Sequence, residues 1–158
     1  MGFIKTAPMR YLLLVTGAWL VIFLLTRSVL LLTHMDEVSG NLLPVFGVGL
    51  LYDLGFLAYA ALPLGLYLLL CPPALWRRRG HRWFLQGVLT VSLFAMLFTS
   101  VAEWLFWDEF GVRFNFIAVD YLVYTNEVVG NIMESYPVVP LFAGVLLLTV
   151  GCTWLLFR

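Results

Sequence analysis

The sequence predicts an all-α integral membrane protein: four transmembrane helices plus an amphipathic, interfacial helical segment on the extracytoplasmic side. Three observations predict it. The 158-residue chain is 63% hydrophobic and only 11% charged, with a mean hydropathy of +0.98, whereas soluble domains carry about 25% charged residues. Four apolar runs each reach the roughly 20 residues needed to cross a bilayer. The stretch RFNFIAVDYLVYTNEVVGNIMESYP, residues 113–137, is too polar to do so and places charges at regular intervals.

The first span is predicted over 11–33, YLLLVTGAWLVIFLLTRSVLLLT. It is longer than a signal-peptide core and lacks a small-residue cleavage site at its end, so it is expected to stay attached. The second covers 45–70, the third about 84–106 and the fourth 138–157. All are expected to be helices, because backbone N–H and C=O groups in hydrocarbon must be satisfied within the segment. Pro63 removes one hydrogen bond in the second span and predicts a kink. Ala61 and Gly65 form a small-xxx-small pair suited to close helix contact. Together the spans form one transmembrane domain over 1–158, with the amphipathic segment at about 108–136.

Charge sorts the connecting segments. Lys5, Arg10, Arg77, Arg78, Arg79, Arg82 and Arg158 fall on one side with no acid. Asp36, Glu37, Asp108, Glu109, Asp120, Glu127 and Glu134 fall on the other, against Arg113 alone. Positive loops stay cytoplasmic, which predicts both termini inside and the 113–137 stretch outside. The run RRRGHR is read as a topology determinant touching lipid head groups rather than a nucleic-acid site. Cys71 and Cys152 are read as buried small apolar residues, and His34 and His81 as loop residues without a site.

Arg27, Asp53 and Glu103 lie inside apolar runs, where each needs a partner or a route to water. At about 1.5 Å per residue all three fall in the outer half of the membrane, Arg27 about 24 Å from the inner boundary and Glu103 near the outer surface. Arg27 and Asp53 are expected to pair between the first two helices, with Glu103 nearby at the rim, where the structural alternative leaves it in water. Two roles remain open for this cluster: a lipid head-group patch, or a structural salt bridge that fixes helix packing.

From Arg113 onward, charges recur every seven residues at Asp120, Glu127 and Glu134, with Asn131 beside them. Seven residues are close to two helical turns, so the charges should form one ribbon on an amphipathic helix or two, with Gly130 as a break point. Tyr121, Tyr124 and Tyr136 suit the head-group level. Pure lipid binding favours Lys and Arg on the polar face, so an acidic ribbon points instead to a protein neighbour or a solvated tether. Asp108 and Glu109 are adjacent and do not face each other across a substrate. No catalytic residue, metal ligand or cofactor site is identified in the chain, and a transporter is disfavoured by the absence of inverted repeats.

The stretch FGVRFNFIAVDYLVYTNEVVGNIMESYP, together with GLLYDL and LPLGLYLLLCP in the second span, resembles the membrane region of lipoteichoic-acid-synthase-like proteins of Gram-negative bacteria. These belong to the alkaline phosphatase/sulfatase superfamily. The resemblance implies an inner-membrane anchor of about five helices followed by a large extracytoplasmic sulfatase-like domain. That domain would use a threonine nucleophile and a divalent metal to move a phosphoglycerol group from a membrane lipid to an acceptor. Arg113, Asp120, Tyr121, Tyr124, Glu127, Asn131 and Glu134 would then form the coupling segment to it. The expected function is that of the anchor and coupling domain, with the phospholipid membrane and the sulfatase-like domain as partners. The alternative is a stand-alone multi-span scaffold or accessory protein.

Overall fold

The computed structural model describes residues 7–35, 42–114, 119 and 125–157, with 125–128 described by backbone alone. Six helices stand among them: α1 (Ala7–Thr33), α2 (Leu42–Leu70), α3 (Pro73–Trp76), α4 (Arg79–Phe110), α5 (Thr125–Ser135) and α6 (Val138–Phe157). No strand occurs among the described residues. Four helices, α1, α2, α4 and α6, are long and apolar enough to cross a membrane. Their outward faces are strongly apolar and exposed, as at Leu51, Tyr59, Leu69 and Leu147. In a water-soluble protein such continuous apolar surface would be a liability, and around a bundle of this kind it meets lipid.

The helices outrun the hydrocarbon-length segments expected from sequence. The third span begins at Arg79 rather than 84 and continues to Phe110 rather than 106. Residues 108–110 therefore finish a transmembrane helix instead of opening the interfacial segment. The reason is physical: hydropathy marks the part of a helix that lipid covers, while the backbone ladder continues until something ends it. Here that something is Gly111, whose φ of 65° caps the helix in the left-handed region while its N–H reaches the Trp107 carbonyl at 2.7 Å. At the other end Pro72 precedes α3 and Pro73 opens it, the position where a missing N–H costs nothing. α2 runs unbroken through Pro63, and α5 runs unbroken through Gly130.

α1 is the hub. It packs against α2 on one side and α4 on another, and α4 in turn carries α6. Leu12 of α1 rests over Gly65 of α2, which has no side chain to hold it off. The densest packing gathers at the end bearing Arg10, Arg77, Arg78, Arg79 and Arg82, where Tyr11, Val15, Leu68, Leu85, Leu89 and Leu93 are buried together. Several hydroxyls inside the spans are satisfied locally: Thr16, Ser28, Thr90 and Thr149 each bond the carbonyl four residues back, at 2.7–2.9 Å. Thr26 and Ser100 also meet at 2.8 Å across α1 and α4.

A buried hydrogen bond ties α1 to α4: the Tyr11 hydroxyl donates to the Leu85 carbonyl at 2.6 Å. Tyr11→Phe is expected to cost about 1 kcal/mol, the usual net worth of such a bond, since Leu85 keeps its helical partner. Thermal unfolding in detergent, monitored by retention of the monodisperse species, measures it.

Candidate functional site

The charges segregate to opposite ends of the bundle. The arginines named above share the end with the core cluster, while Asp108, Glu109, Arg113 and Glu134 lie at the other. Between that second end and the middle of the membrane, four charged side chains converge.

Arg27 projects from the last third of α1 and is 5% exposed. Its Nη2 donates to Asp53 Oδ2 of α2 at 2.8 Å, and Asp53 is itself buried. The approach depends on Gly49, one helical turn before Asp53 and on the same face of α2. A Cβ at Gly49 would overlap the Arg27 guanidinium. Glycine thus leaves the room in which the guanidinium lies flat against α2. Sequence reasoning missed Gly49, although its position four residues before a membrane-embedded acid was a usable signal.

Glu103 of α4 is buried at 8% exposure, not at a wet rim. The helix extends seven residues beyond it, so Glu103 lies about 10 Å inside the helix end. Its partner is Arg113, whose Nε meets Glu103 Oε1 at 2.5 Å. Gly111 turns the chain and Phe106, Phe110 and Phe114 cluster at ring separations of 4.6 and 5.1 Å, folding Arg113 back over α4. The hydrogen bond to Glu103 raises the Arg113 pKa above its ordinary value against an opposing desolvation, and the charges of Glu103 and Asp53 add to it. The Asp53 charge also acts on Arg113, so the two ion pairs are electrostatic neighbours, a quartet with no net formal charge.

This corrects the reading of Arg113 as the first member of an acidic ribbon. α4 ends before it and α5 begins after it, so residues 113–134 do not lie on a single helix. Glu127 and Glu134 share α5, and the Glu127 side chain lies outside the described residues. Asp120, Tyr121 and Tyr124 also lie outside them. Asn131 lines a cavity between α4, α5 and α6, and Glu134 is exposed.

The quartet can do two things. It ties α1 to α2 and the chain after α4 to α4 itself, and it presents the half-exposed Arg113 at the membrane boundary. One donor is left over: Arg27 Nη1 is buried with no hydrogen-bond partner among the described residues. Among those residues no three His, Cys, Asp or Glu side chains are grouped to hold a metal ion.

At the opposite end, His81 is not in a loop but in the first turn of α4, buried at 5% exposure. Its Nε2 lies 3.5 Å from Cys71 Sγ, and Trp76, Tyr67 and Phe84 surround its ring at 5.0–6.4 Å. The cluster closes the turn between α2 and α4, and both cysteines are free thiols. No family model, no curated protein and no solved structure matches the chain.

Proposed function

We propose that the chain is the membrane anchor and coupling domain of a phosphoglycerol-transferase-like enzyme of the sulfatase superfamily. It would sit in a bacterial inner membrane with the arginine end in the cytoplasm. The observation that carries the reading is the build of the acidic end. There the short amphipathic helix α5 carries an exposed Glu134, Asp108 and Glu109 are exposed at the end of α4, and the Arg113 that follows α4 is paired with Glu103. Such a surface repels anionic lipid and suits a protein neighbour. Catalysis would belong to that neighbour, and this chain would set its height above the lipid that supplies the phospho-group.

Met133, exposed on α5, is the place to test it. A photoreactive residue at position 133 is expected to capture an extracytoplasmic polypeptide of the sulfatase fold in intact cells. A cysteine replacing Ser135 is expected to react with an impermeant reagent from outside. Capture of lipid alone, or labelling of position 135 only from the cytosol, defeats the proposal.

A further inference from the structure

A groove of about 470 Å³ lies between α4 and α6 toward the acidic end, with α5 along its rim. That volume lies within the roughly 300–1,000 Å³ of small-molecule sites. Its walls are apolar, with Phe98 and Leu105 on α4 facing Leu141 and Phe142 on α6. From Phe98 to Phe110 it follows α4 for about 18 Å, the scale of an extended hydrocarbon chain. Both walls are membrane-spanning helices, so the medium around the groove is itself made of acyl chains.

Polar groups collect at one end only: Glu109 of α4, Asn131 and Ser135 of α5, and Tyr136. Among the described residues no basic side chain lines the groove. The Tyr136 hydroxyl donates to Asp108 at 3.1 Å. Partial desolvation and that bond, with Glu109 nearby, keep the Tyr136 phenol above its ordinary pKa. Arg113 adds no free cation, because Glu103 engages it.

We propose that this groove holds one acyl chain of an ethanolamine phospholipid, with its primary ammonium against the carboxylate of Glu109 and with Asp108, held by Tyr136, adding negative charge at the rim. An apolar body with a single polar end matches the groove's own division. The acidic rim selects the head group: an anionic lipid brings like charge, and a choline head has no N–H to donate. A primary ammonium brings three donors to the Glu109 carboxylate and the neutral acceptors beside it. Asn131 and Ser135 supply neutral donors for the phosphodiester behind it. Retention of the lipid is independent of whether α5 meets a second domain.

Native mass spectrometry of the purified chain, offered equal amounts of phosphatidylethanolamine, phosphatidylglycerol and phosphatidylcholine with identical acyl chains, tests the proposal. Wild-type protein is expected to retain one ethanolamine lipid with about tenfold preference over either competitor, the scale of one charge-assisted contact. Ala102→Phe, which fills the groove, is expected to abolish retention. Leu51→Phe, on the outward face of α2, is expected to leave it unchanged. Asp108→Asn combined with Glu109→Gln, both at exposed positions on the last turn of α4, is expected to bring the three lipids to parity. That arm stands even if Ala102→Phe fails to fold. Equal retention of all three lipids by wild-type protein overturns the proposal, as does undiminished retention by folded Ala102→Phe. A wild-type dimer that Ala102→Phe converts to monomer also overturns it, since a second copy would then occupy the groove.

Discussion

Asp53→Ala is expected to be the most damaging single substitution in the chain, lowering stability by about 3–5 kcal/mol, the usual result of stripping one partner from a buried ion pair. The loss is larger than the pair is worth, because Arg27 stays behind as an uncompensated charge with Nη1 already lacking a partner. Arginine does not escape by losing its proton. It must either draw water into the bundle or pull α1 away from α2. The matching double variant, Arg27→Leu with Asp53→Leu, removes both charges and is expected to recover most of the loss or exceed wild type, as buried pairs replaced by apolar residues often do. Thermal unfolding of wild type, Arg27→Leu, Asp53→Leu and the double variant closes a double-mutant cycle that measures the coupling. Near-wild-type stability in Asp53→Ala would show that water already reaches Arg27.

Gly49→Ala is expected to cost about 1–3 kcal/mol, the range for forcing extra volume into a packed site. The substitution adds only a methyl group and improves intrinsic helix propensity by roughly 1 kcal/mol, so propensity alone predicts the opposite sign. The group that must give way is the far end of the Arg27 side chain, ordinarily cheap to move. Here it is buried and bound to Asp53, so moving it spoils the ion pair. In the Arg27→Leu/Asp53→Leu background the same methyl meets no guanidinium, and Gly49→Ala should become neutral or stabilising. A penalty of equal size in both backgrounds would locate its origin elsewhere.

The architecture was legible because each span carries its own evidence in length and hydropathy, and lipid permits only helices there. The need of Arg27 for an acid was legible for the same reason: charge that deep has few alternatives, and Asp53 falls at a compatible depth on the next helix. Glu103 and Arg113 were not legible. Their pairing depends on where α4 stops and which way the chain turns, and both are set by the left-handed residue at Gly111 rather than by periodicity. A seven-residue spacing read across that turn puts four charges on one ribbon, when in fact the first folds back over α4 to meet Glu103. Gly49 escaped notice because a glycine in an apolar run signals close approach without saying to what. His81 was misplaced because hydropathy stops short of the first turn of α4, where an arginine-rich sequence is still helical.

The charge balance of the quartet bears on bioenergetics. Moving an elementary charge through a membrane potential takes about 2.3 kcal/mol per 100 mV. Two arginines locked to two carboxylates carry none in sum, so tilting or sliding of the bundle as a unit does almost no electrical work. A bundle built this way is expected to keep one geometry whether the membrane is energised or depolarised.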